Sequence, residues 1–127
     1  MPKQRLAIRL ATNSGKRTYV PERGDLVWLT LDPQAGHEQA GRRPAVVLSP
    51  SVYNRRAGLA VFVPITSRAK GYPFEVLVPA GLAVDGAILS DQLKSLDWRA
   101  RKASRIGALP LAIIREILQK ASLLVSP

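Results

Sequence analysis

Apolar residues in this chain come in short runs, each stopped within a few positions by Gly, Pro, Asp, Ser or Thr. Leu26 to Leu31 ends at Asp32-Pro33, Ala45 to Leu48 at Ser49-Pro50, and Leu59 to Ile65 at Thr66-Ser67. Runs of this length suit strands and are too short for typical helices. In Phe74 to Val78, the residues Phe74, Val76 and Val78 alternate with Glu75 and Leu77, the period of a half-buried strand. Gly86 to Leu89 makes a fifth strand. Ser90 to Trp98, with Leu93 and Leu96 among polar residues, reads as a sixth that carries polar side chains towards a ligand.

Helical signals are few. Val52 to Arg56 reads as one helical turn with Ser51 near its cap. After Pro110, which suits a first helical position, Ile114, Ile117, Leu118, Ala121 and Val125 fall on one face. Many short strands and one terminal amphipathic helix predict a mainly β, α+β domain: a small barrel with a helix packed on it.

A length of 127 residues allows one such domain. The net charge of +10 points to an anionic partner: nucleic acid, an anionic membrane or an acidic protein. Cysteine is absent, which excludes disulfides, thiol catalysis and thiolate metal sites. With His37 the lone histidine, no metal or other cofactor is expected. No apolar run approaches the roughly 18 residues of a membrane span, so a soluble, cytoplasmic protein is expected. Residues 1–18 are Arg- and Lys-rich without an acid. A targeting peptide, a basic arm and an upstream extension of the translated start all fit that composition. Asn13-Ser14-Gly15 reads as loop, which favours a flexible arm ahead of a domain over 19–127.

The chemistry concentrates between Gly36 and Pro50. His37, Glu38, Gln39, Arg42 and Arg43 sit on a loop of about a dozen residues that runs into Ala45 to Leu48, with Pro44 expected to begin the strand. Cleaving RNA without a metal requires a base for the 2′-hydroxyl, charge stabilisation at phosphorus and a proton for the leaving 5′-oxygen. Glu38 can accept the first proton, Arg43 can stabilise the dianionic transition state, and Thr66 can position the phosphate. Arg43 is a reluctant proton donor, whereas His37 is the better acid or base by its ordinary pKa. Each has a plainer reading: Glu38 and Arg43 can pair with each other, His37 can be solvated, and Thr66 can be structural. Taken alone, these residues support a basic barrel that contacts RNA.

Five blocks in register go further. Gly24-Asp25-Leu26-Val27-Trp28, Glu38 to Leu48, Val63-Pro64-Ile65-Thr66, Lys70 to Val76 and Asp91-Gln92-Leu93-Lys94-Ser95 together resemble the MazF/PemK toxin family over roughly residues 19 to 125. That resemblance implies an SH3-like barrel, a homodimer, and a metal-independent, sequence-specific endoribonuclease that leaves 2′,3′-cyclic phosphate and 5′-hydroxyl ends on single-stranded mRNA. It implies Arg43 and Thr66 as the catalytic pair with Glu38 as the loop acid, and RNA contacts from Gln92 and Lys94. His37, Gln39, Arg42, Ser67 and Lys70 are further expected RNA contacts. The implied partner is an acidic, MazE-like antitoxin. His37 replaces the small residues common in the family, and residues 1–18 have no counterpart there. The alternative is a catalytically inert barrel of the same fold that binds RNA or a protein target such as gyrase.

Overall fold

The computed structural model describes residues 19–31 and 41–127; the expected arm over 1–18 and the loop residues His37, Glu38 and Gln39 lie outside them. Among the described residues, seven strands and two helices follow in order: β1 (Asp25–Leu31), β2 (Gly41–Val47), α1 (Ser51–Ala57), β3 (Ala60–Thr66), β4 (Glu75–Leu77), β5 (Ala87–Leu89), β6 (Lys94–Leu96), β7 (Ser104–Ala108) and α2 (Leu111–Ser122). All pairings are antiparallel. The α+β, mainly β class therefore holds. Pairing traces an open path, β4-β5-β3-β2-β1-β7, and β6 joins β3.

β3 organises the sheet. One of its edges pairs with β2, while the other is shared by β6 at its start and β5 at its end. Alternate residues of β1, β2 and β3 feed two cores on opposite faces, as the pleat requires. Leu26, Val46, Val63 and Ile65 join the first core, which α2 covers with Ile117 and the partly buried Ile113, Ile114 and Leu118. Val27, Leu29, Ala45, Val47 and Phe62 join the second, which is closed by Trp98. With both faces covered, these strands read as nearly continuous apolar runs.

Several local expectations change. β2 begins at Gly41 rather than Pro44, which lies within it opposite Trp28. The β3 register starts only at Ala45, so the proline without an N–H stands where that ladder stops. Ser51 is the first residue of α1, not its cap; its hydroxyl donates to Glu22 Oε2 at 3.1 Å. Ser90 to Trp98 forms only three residues of strand, because turns flank β6 on both sides. Pro110 precedes α2 as its N-cap, and Val125 lies beyond the helix and is exposed. β7 falls inside the basic stretch after Trp98, which had no strand signal.

The start of the described chain is tied to this sheet. The Tyr19 hydroxyl donates to Asp25 Oδ2, and Arg105 of β7 pairs with the same carboxylate at 3.4 Å. Burial and the Asp25 carboxylate push the Tyr19 phenol well above its ordinary pKa, so it stays a donor. Gly24, with φ +91°, makes room for α2: a Cβ there would lie 2.3 Å from Ile114 Cδ1.

Candidate functional site

Register and pleat together choose which polar side chains meet. Arg43 lies two residues from Ala45 on β2, so it shares the face of the second core. Thr66 lies four residues from Phe62 on β3 and takes the same side. Lys94 stands opposite Phe62 and joins them. At the open end of that face is a cleft of about 690 Å³ whose lining includes Arg43, Thr66, Ser67, Arg68, Gln92 and Lys94.

The cleft's local geometry is built by turns. The Arg68 N–H donates to Thr66 Oγ1 at 3.1 Å, which folds the chain just past β3 and fixes the hydroxyl. The Gln92 N–H donates to the Leu89 carbonyl at 3.0 Å, turning the chain from β5 towards β6. Thr66 is half-buried, whereas Arg43, Arg68, Gln92 and Lys94 are exposed. Three cations and two hydroxyls therefore line the wall, with no carboxylate among the described lining residues. Such a surface fits a phosphodiester: guanidinium forks match phosphate oxygens and hydroxyls complete their hydrogen bonding.

Arg43, Thr66, Ser67, Gln92 and Lys94 thus come together from three separate segments. Lys70 lines an adjoining hollow that shares Thr66 and Gln92 with the cleft. Arg42 goes elsewhere. Its guanidinium donates to Thr30 Oγ1 at 2.6 Å, to the Lys102 carbonyl at 2.7 Å and to Ser104 Oγ at 2.8 Å, across β1 to β7. Adjacent strand residues point to opposite faces, so Arg42 and Arg43 part company. His37, Glu38 and Gln39 belong to residues outside those described. Arg68 was not among the expected contacts; the one signal for it is a cation two residues past Thr66. Among the described residues no three His, Asp or Glu side chains converge as metal ligands would.

Comparison with known proteins gives the family. Residues 22–125 match the family described as PemK-like, MazF-like toxin of type II toxin–antitoxin system. The chain is 49% identical over 107 residues to the endoribonuclease toxin MazF of Escherichia coli (strain K12), covering 84% of this chain and 96% of that protein. It is 36% identical over 110 residues to the endoribonuclease PemK of Escherichia coli, covering 83% and 82% respectively. A crystal structure of MazE–MazF from Deinococcus radiodurans superposes with a TM-score of 0.80 at 54% identity, over 85% of this chain and 97% of that one. The chain belongs to the PemK/MazF toxin family of type II toxin–antitoxin systems.

Proposed function

We propose that this protein is the toxin of a toxin–antitoxin pair and cleaves single-stranded mRNA at a defined sequence. The observation that carries the reading is the cationic, hydroxyl-bearing cleft, in a chain so similar along its length to proteins named endoribonucleases. In the proposed reaction the 2′-oxygen attacks the adjacent phosphorus. The O2′–P bond forms as the P–O5′ bond breaks, giving a 2′,3′-cyclic phosphate and a 5′-hydroxyl. Glu38 takes the 2′-proton or orients the substrate. Arg43 stabilises the charge that grows on the non-bridging oxygens and is the acid that passes a proton to the leaving 5′-oxygen. Thr66 holds the phosphate. Gln92, Lys94, Ser67 and Lys70 contact the flanking RNA, as do His37 and Gln39 from the loop.

Two copies of the chain form the working unit, and an acidic antitoxin neutralises it by covering the RNA groove, as a +10 toxin invites. The site of action is the cytoplasm, where its mRNA substrate is. Among the described residues no helix is long and apolar enough to cross a membrane.

Arg43→Ala is the direct test. Cleavage of a single-stranded RNA in EDTA is expected to fall by about a hundredfold or more, the scale of losing one preorganised oxyanion donor. RNA retardation on a gel is expected to persist. Unchanged cleavage by the variant would remove Arg43 from the mechanism. Intact RNA with retarded mobility in the wild type would instead mark a non-catalytic binder.

A further inference from the structure

The hollow beside the cleft, about 300 Å³, runs from Thr66 and Gln92 out to Lys70, Tyr72 and Asp91. The turn that carries Lys70 and Tyr72 is clamped. The Glu75 carboxylate accepts the N–H groups of Lys70 at 3.0 Å and Gly71 at 2.9 Å. The Glu75 N–H donates to the Tyr72 carbonyl at 3.0 Å, and Gly71 supplies the φ of +76° that closes the turn. Lys120 Nζ anchors the assembly by donating to the Glu75 carbonyl at 3.1 Å.

On this rigid turn Tyr72 is 61% exposed, so its ring adds little to the core. The Lys70 ammonium sits 5.9 Å from the ring centroid, at the outer reach of a cation–π contact. An exposed aromatic face beside a cation, opening onto a cationic cleft, has the parts of a single-strand platform: one surface for a base and one charge for its phosphate. We propose that Tyr72 stacks an unpaired base flanking the scissile phosphate. Lys70 meets that nucleotide's phosphate, and Asp91 accepts from its amino edge. Glu75 also lines the hollow, but its carboxylate is taken up by the N–H groups of Lys70 and Gly71, so it is the positioning residue that fixes the turn. This inference rests on the nuclease reading above and adds a subsite to it.

The test uses the full chain and a single-stranded RNA made uncleavable by a 2′-deoxy sugar at the cut position. Abasic sites are placed one at a time on either side of the cut. At one flanking position, removing the base is expected to weaken wild-type binding on the order of tenfold, the scale of one stacked base. In Tyr72→Ala that penalty vanishes while those at other positions stay. Tyr72→Phe, which keeps the ring, retains it, and Glu75→Gln shrinks it. If Tyr72→Ala leaves every abasic penalty unchanged while the wild type still cleaves its normal substrate, the platform is overturned and the nuclease reading stands. The exposed ring then belongs to a protein contact. A wild type that neither binds nor cleaves RNA overturns both.

Discussion

Asn54 shows how one residue holds two parts of the chain. It is fully buried, and its Nδ2 donates to the carbonyls of Pro21 and Ser49 at 2.8 and 3.0 Å. Its Oδ1 accepts from Ser49 Oγ at 2.6 Å, and its backbone carbonyl accepts from Trp98 Nε1 at 2.9 Å. An alanine there keeps only the backbone bonds: the Pro21 and Ser49 carbonyls lose their amide donor, and the Ser49 hydroxyl, which still accepts from the Val61 N–H, loses its acceptor. Asn54→Ala is therefore expected to cost about 3 kcal/mol, read as a lowered urea midpoint with an unchanged slope. A stability loss near zero would mean that water replaces the amide. Arg42 has a similar bridging part, since its bonds span three strands. The residue pair Arg42-Arg43 thus divides between scaffold and cleft.

At the scale of elements, the end of β3 and the start of β5 are packed too closely for any side chain between them. Gly86 has φ +121°, and a Cβ there would sit 2.1 Å from the Thr66 carbonyl oxygen. Gly86→Ala must push the β3 end away and carry Thr66 with it. It is expected to lose about 2 kcal/mol or more of stability and to cleave RNA more slowly at a temperature where it remains folded. Gly81→Ala is the control. Its φ is +92° but nothing lies within 4 Å of the added Cβ, so it bears strain without a clash and should cleave normally. Equal rates for the two variants would show that the β3–β5 contact does not set the position of Thr66. α2 depends on close approach in the same way, through Gly24 beneath Ile114.

Across the whole molecule, charge is spread unevenly. Residues 1–18 hold five Lys and Arg and no acid, half of the net +10. Cations that replace counterions on RNA give a binding constant that falls with salt, by about 0.7 in the log–log slope per phosphate contact on a single strand. Deleting residues 1–18 is expected to weaken RNA binding at low salt and flatten that slope. The cut sequence should stay the same, because the cleft belongs to the sheet. An unchanged slope would show that residues 1–18 make no phosphate contact, and a changed cut site would show that they read bases.

The scaffold's alphabet was legible in the chain: five strands to within a few residues at their ends, the helix face of Ile117 and Ala121, and the motifs that carry the family resemblance. Local pattern suffices there because side-chain period and turn residues are properties of neighbouring positions. β7 was illegible because Ser104-Arg105-Ile106-Gly107-Ala108 has weak strand preference, and its state comes from pairing with β1. Ser90 to Trp98 read too long because alternation cannot report the turns that flank β6. Motif order put Arg43, Thr66, Gln92 and Lys94 on one list; only the β2–β3 and β3–β6 registers placed them around one cleft. Alternation along β2 parts Arg42 from Arg43, but only the β1–β2 and β1–β7 pairings gave Arg42 its partners on Thr30 and Ser104. Convergence of distant residues is a property of pairing between strands, and pairing is decided by the packed sheet as a whole.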